Sequence, residues 1–235
     1  MILITSGCSF SECISGYIDT WPRHLQRHIK MPMISKGMGS QGNGLISRSI
    51  IYEVDRLVKE AIPEDLLVGI MWSGYSRWDY YWNKKERGLD WKQENTEGMS
   101  NPTNFKHDDR EGDWIITNSD WKSAKDYYKH YYDNTWGQIQ TLEHILRTQW
   151  FLEKHKIRYF MMPYMDNVFD LADRQQCQYL FDQIDWNTFA TKQGCYEYCS
   201  NKALVDDTLH PTTEGHATYT KEVLIPYLTT KGYIV

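Results

Sequence analysis

Four short apolar runs recur along this chain, each with at most one charge and each followed by a turn-forming residue. They are Ile2–Thr5 (ILIT), Met31–Ser35 (MPMIS), Leu66–Trp72 (LLVGIMW) and Ile157–Met162 (IRYFMM). Short charge-free runs bounded by glycine, serine or proline read as buried strands, and strands buried on both faces belong to parallel sheets. Between them lie stretches with helical periodicity. Trp21, Leu25 and Ile29 recur at four-residue spacing after Thr20, a good N-cap residue, with Pro22 in the first turn. Leu45, Ile46, Ile50, Val54, Leu57 and Val58 line one face of a helix expected over 45–61. Ile139, Leu142, Ile145 and Leu146 do the same over 136–155, and further helices are expected over 171–184 and 213–228. Strands alternating with helices imply a parallel sheet with helices on both faces. A fifth extended element is expected near Trp186–Phe189.

No internal repeat interrupts this order, so residues 1–235 are read as one domain with an insertion over about 78–134. There, charges, aromatics and turn residues alternate without a sustained period, as in Asn101–Asn104 and Asp108–Asp113. A stretch of that length inside an α/β domain is usually a functional lid or an insertion. Its aromatic content is too high for plain disorder. The chain carries 10 Trp and 17 Tyr, many of them between Trp72 and Trp136. Such rings either pack a lid or stack on flat ligands such as sugars; Trp72 and Arg77, beside the third strand's end, are candidate substrate-binding residues.

The formal net charge is -5 and no basic block stands out, which argues against nucleic acid as a partner. The apolar runs are too short to span a bilayer. Met1 leads straight into the first strand, so neither a cleavable leader nor a membrane role is expected and a cytoplasmic location is. The five cysteines match no zinc framework, and His24 and His28 lack the surroundings of a metal-binding helix, so no metal is expected. Residues 37–42 fit the glycine spacing of a dinucleotide loop. They follow the second strand rather than the first, and no strand ending in an acidic residue comes about twenty residues later. No cofactor is therefore expected.

The candidate chemistry sits at the two ends of the chain. Ser9 lies where the first strand runs into Gly7-Cys8-Ser9-Phe10, at the carboxyl end of the sheet, where open α/β sheets bind ligands. Asp207-Thr208-Leu209-His210-Pro211 precedes the last helix. That spacing lets a carboxylate reach the imidazole Nδ1 and leaves Nε2 to take a proton from a serine.

Gly7–Ser11, Gly37–Asn43 and Asp207–Pro211, in that order, resemble the SGNH (GDSL-type) hydrolase family. The resemblance spans nearly the whole domain apart from the insertion. It implies a three-layer α/β/α sandwich, flavodoxin-like, with a five-stranded parallel sheet. It also implies Ser9 as nucleophile, His210 as base and Asp207 as the residue orienting His210. The oxyanion hole would draw on the Ser9 N–H and on the N–H of Gly39 or Ser40. Cys8 stands where the family usually has aspartate, and no asparagine follows the third strand, so Ser73 or Asn43 is left to supply the remaining donor. The implied activity is hydrolysis of an O-acyl ester, with a small-molecule or glycan ester as substrate. Two alternatives remain open: an acyltransferase with the same triad, and a non-catalytic carbohydrate-binding or assembly protein.

Overall fold

A computed structural model describes residues 1–13, 18–60, 63–83, 112–117, 124–166, 169 and 174–234. The chain runs β1 (Ile2–Ser6), α1 (Trp21–Ile29), β2 (Met33–Ser35), α2 (Asn43–Leu57), β3 (Leu66–Trp72), β4 (Trp78–Asn83), β5 (Gly112–Thr117), α3 (Lys125–His130), α4 (Asn134–Lys154), β6 (Arg158–Pro163), α5 (Arg174–Phe181), α6 (Cys195–Ser200), α7 (Thr213–Tyr219) and α8 (Ile225–Thr230). The main sheet is parallel, in the order β2-β1-β3-β6. Successive side chains on a strand point to opposite faces. Ile4, Val68, Ile70, Trp72 and Met161 therefore pack with α2 and α4, through Ile46, Ile50, Leu142 and Ile145. Leu3, Leu67, Met71, Phe160 and Met162 pack on the other face with Trp21, Leu25, Cys195, Tyr219 and Leu228. The result is a three-layer α/β/α sandwich. No helix among the described residues is long and apolar enough to cross a membrane.

Among the described residues the main sheet has four strands rather than five. The segment expected to extend at Trp186–Phe189 forms a 3₁₀ turn over Trp186–Thr188, and only Phe189 bridges to the sheet, through Met161. Asp185 causes this: its side chain accepts from the Asn187 N–H at 2.9 Å and starts the turn. The last helix runs unbroken over 213–230 but changes its hydrogen-bond pattern midway. A π turn over Thr220–Leu224 lies between α7 and α8, just before Pro226, which has no N–H to give to a regular helix.

Part of the insertion is regular. β4 and β5 pair antiparallel, Trp78 opposite Thr117 and Asn83 opposite Gly112. Residues 84–111 and 118–123 of the insertion, and 171–173 of the helix expected over 171–184, lie outside the described residues. Asp79 ties this hairpin to the sandwich. Its carboxylate accepts from the Gly42 N–H at 3.1 Å and the Leu45 N–H at 3.0 Å, capping α2 from another element. Burial pushes the Asp79 carboxyl up to about 6, against the pull of those two N–H groups and of Arg48 and Arg77.

Candidate active site

β1 lies between β2 and β3, and the chain leaves it first to one side and then to the other. That is the switch point at which α/β sheets open a crevice beyond their carboxyl ends. Immediately past β1, residues Ser9–Ser11 form one 3₁₀ turn. Two glycines allow it. A Cβ on Gly7 would lie 2.3 Å from Ser11 Oγ, and one on Gly37 would lie 2.3 Å from the Ser11 carbonyl. Trp21 Nε1 donates to Ser11 Oγ at 2.8 Å and holds the turn from α1. Cys8 is fully buried in the layer of α6 and α7, while its neighbour Ser9 reaches the surface of a cleft.

The other half of the site is the loop between α6 and α7. Val205 and Pro211 form an antiparallel bridge, the Asp206 N–H donates to the His210 carbonyl at 2.8 Å, and Leu209 takes a left-handed φ of 62° to close the turn. A leucine with positive φ is uncommon, and such backbone conformations cluster at functional sites. The turn brings His210 Nε2 to 3.0 Å from Ser9 Oγ. Phe10 packs its ring against the imidazole, centroids 5.1 Å apart and planes tilted by 59°.

The groups at His210 Nδ1 decide its tautomer. The Thr208 carbonyl and the Thr208 hydroxyl oxygen each lie 3.0 Å from Nδ1. A carbonyl can only accept, so the proton is on Nδ1 and the Nε2 lone pair faces Ser9. Thr208 Oγ1 in turn donates to Asp206 Oδ1 at 2.6 Å, which leaves its lone pairs for the imidazole N–H. Asp206 Oδ1 also accepts from the backbone N–H groups of Thr208 at 2.8 Å and His210 at 3.1 Å. These bonds, the Thr208 hydroxyl first, hold the Asp206 carboxyl below its ordinary value. Asp207, expected at Nδ1, is exposed instead, and Thr208 occupies that position.

The cleft around Ser9 has a volume of about 490 Å³ and is lined by Ser9, Glu12, Ile18, Thr20, Asp206, Thr208 and His210. Glu12 was not expected here. Its Oε2 accepts from the Gly39 N–H at 3.1 Å, and its carbonyl accepts from Thr20 Oγ1 at 3.0 Å. Burial pushes its carboxyl up, and the Gly39 N–H pulls partly the other way. Thr20, expected to cap α1 with its side chain, uses that hydroxyl to hold Glu12 instead.

The remaining candidate positions divide. Ser40 has a left-handed φ of 62° beside Gly39. Asn43 is buried and locked elsewhere: its Nδ2 donates to the Ser73 carbonyl at 2.9 Å, and its Oδ1 accepts from the Ser73 N–H at 2.7 Å. Ser73 is fully buried, and its hydroxyl accepts from Arg77 Nη1 at 2.7 Å. Asn43 and Ser73 thus splice the ends of α2 and β3 together rather than facing the cleft. Trp72 is fully buried in the core with Nε1 against Met161 Sδ at 3.3 Å, so it meets no substrate. Arg77 lies over the Tyr164 ring at 5.4 Å and lines a separate small pocket with Arg48, Asp79 and His144. No group of three or more His, Cys, Asp or Glu among the described residues is arranged to hold a metal.

A family model matches residues 13–234, almost the whole chain, beginning just after Ser9 and including His210. The chain belongs to DUF6071. Its description is "Family of unknown function". No curated protein matches this DUF6071 chain. Solved structures are similar to it, among them these three. The psychrotrophic esterase EstA from Pseudoalteromonas sp. is 10% identical, with 97% of this chain and 98% of that chain covered and a TM-score of 0.46. A protein from Desulfitobacterium hafniense DCB-2, described as a lipolytic protein of the G-D-S-L family, is 13% identical, with 94% and 95% covered and a TM-score of 0.41. A protein from Parabacteroides merdae ATCC 43184, described as a GDSL-like lipase, is 10% identical, with 98% and 95% covered and a TM-score of 0.47.

Chemically, the DUF6071 chain presents a hydroxyl hydrogen-bonded to an imidazole of fixed tautomer at the mouth of a cleft. A hydroxyl and an imidazole so placed can exchange a proton.

Proposed function

We propose that this chain hydrolyses carboxylic esters, with Ser9 as nucleophile and His210 as general base. The observation that carries the reading is the 3.0 Å contact from Ser9 Oγ to His210 Nε2, with the proton held on Nδ1 by the Thr208 carbonyl. Ser9 Oγ attacks the acyl carbon and its proton passes to Nε2. The tetrahedral intermediate expels the alcohol, which takes that proton. Water then attacks the acyl-enzyme, gives its proton to Nε2, and the acid leaves as Ser9 Oγ is reprotonated. Asp206, acting through Thr208, steadies the imidazole while it is charged. The oxyanion is assigned to the Ser9 N–H and to the Gly39 N–H, which already donates to a carboxylate oxygen of Glu12. Ser40 is the alternative second donor. For the oxyanion to use Gly39, the Glu12 carboxylate has to yield its place.

For a carbohydrate as the alcohol, exposed rings at Tyr131 and Trp136 offer stacking faces outside the residues that line the Ser9 cleft. Trp78, by contrast, stacks on Tyr127 at 4.0 Å, so its face is already occupied within the protein. A binding-only reading has one observation in its favour: Asn43 and Ser73, the side chains expected to complete the oxyanion hole, are buried in structural bonds. Labelling with a fluorophosphonate followed by peptide mapping separates the two. A label on Ser9 that disappears in His210→Ala supports the esterase, and an unlabelled, folded protein supports binding alone.

A further inference from the structure

The cleft that holds Ser9 and His210 is acidic. Two carboxylates line it, Glu12 and Asp206, and no Lys or Arg does among the described residues. Cations near it along the chain are committed elsewhere: Lys36 pairs with Glu53 and Lys202 with Glu222, each at 2.9 Å. Arg27 pairs with Asp19 at 2.6 Å, while Arg23 lies 3.7 Å from Asp19 and donates to the Cys13 carbonyl at 3.1 Å. Three hydrogen bonds inside its own turn hold Asp206 Oδ1 towards the loop that carries His210. Glu12 differs. Its backbone is pinned by Thr20, and its side chain has one hydrogen bond described, to the Gly39 N–H, with the rest of the carboxylate in the cleft wall. A carboxylate has about four acceptor sites, so this one retains capacity for a further donor.

We propose that Glu12 makes the cleft select esters carrying a positively charged group, which pairs with its carboxylate and draws it off the Gly39 amide. The inference rests on the esterase reading above. It gives Glu12 a part that a simple blocking group would not have. The carboxylate occupies an oxyanion donor until a substrate of the right charge offers it a stronger partner. An anionic ester leaves Glu12 in place and adds repulsion. The acceptable chemistry is an ammonium or amine-bearing ester; an acylated amino sugar is one example consistent with the carbohydrate reading.

The test compares butyrylcholine with its uncharged isostere 3,3-dimethylbutyl butyrate, following acid release in the wild-type protein, Glu12→Gln and Glu12→Asp. The expected wild-type ratio of kcat/KM is about tenfold in favour of the cationic ester, the scale of one charge pair at the edge of solvent. Glu12→Gln brings the ratio to about one, and Glu12→Asp retains a preference. A wild-type ratio at or below one, or the same ratio in wild type and Glu12→Gln, overturns the proposal. If neither ester is hydrolysed and Ser9 takes no fluorophosphonate label, the esterase reading has failed. Charge selection is then decided by calorimetric binding of choline against 3,3-dimethylbutanol. A choline preference lost in Glu12→Gln supports it, and equal binding of the two alcohols overturns it.

Discussion

Asp206 grips His210 by its backbone rather than by its ring: Oδ1 accepts from the His210 N–H at 3.1 Å and from the Thr208 hydroxyl at 2.6 Å, and among the described residues it is Thr208 that hydrogen-bonds to Nδ1. The carboxylate therefore acts one residue removed from the imidazole. It orders the loop and orients the hydroxyl whose lone pairs receive the Nδ1 proton.

This arrangement makes opposite forecasts for two adjacent aspartates. Asp206→Asn should lower kcat at least about tenfold, part of the roughly 10²–10⁴ that positioned proton transfer contributes. Asp207→Asn, at an exposed carboxylate, should change it less than about twofold. Steady-state kinetics on a p-nitrophenyl ester, with melting curves to establish that both variants fold, make the comparison. The reverse order of effects would restore Asp207 to the imidazole.

Ser9 and His210 should behave as one unit. Ser9→Ala removes the nucleophile, so a base with nothing to deprotonate adds nothing further. The double variant Ser9→Ala/His210→Ala should be no slower than Ser9→Ala alone. A further loss well beyond twofold would mean that His210 assists catalysis by a route not involving Ser9.

What could be read from the sequence, and what could not, follows the range of the interactions. The strands were legible because each is a nearly charge-free run between turn residues, and Leu66–Trp72 is a strand over its full length. Period-two alternation also contained the fate of Trp72. It falls on the same strand face as Leu66, Val68 and Ile70, and that face is core. The β4–β5 hairpin was not legible, since its halves are separated by a long insertion and its first strand, Trp78–Asn83, is aromatic and polar without alternation. Neither was the choice between Asp206 and Asp207. Spacing puts both within reach of His210, and only the left-handed Leu209 and the Val205–Pro211 bridge turn the earlier one inward. Asn43 looked like a loop donor, and long-range pairing with Ser73 makes it a buried clasp. Glu12 left one local signal, an acid three residues after the nucleophile; its contact with Gly39 spans 27 positions.

The turn that carries Ser9 should tolerate no added carbon at Gly37. A Cβ there would sit 2.3 Å from the Ser11 carbonyl oxygen, a backbone atom that cannot swing aside. Gly37→Ala should cost about 1–3 kcal/mol by overpacking and displace the Ser9 turn. Urea unfolding and fluorophosphonate labelling report the two effects. Unchanged stability with unchanged labelling would show that the Gly-rich loop can retreat from Ser11.

His216 should make the protein sensitive to acid. It lies on α7 behind Phe10, 2% exposed, and its Nδ1 has no hydrogen-bond partner among the described residues. Burial first, then the nearby His24 and His210, push it down to about 3 from an ordinary 6.5. Below pH 6.5 the unfolded chain binds a proton at this position that the folded chain does not. Its contribution to stability is therefore present above pH 6.5 and is lost as the pH falls towards 3. The slope is about 1.4 kcal/mol per pH unit once the unfolded histidine is fully charged. His216→Leu removes the proton site while keeping an apolar side chain against Phe10. It is expected to start somewhat less stable at pH 7 through imperfect packing, and then to gain on the wild type as the pH falls. Urea unfolding of both proteins between pH 7 and pH 4.5 measures the gap, with the carboxylates common to both cancelling. A gap that stays constant over that range would mean that His216 takes up its proton in the folded state as readily as in the unfolded one.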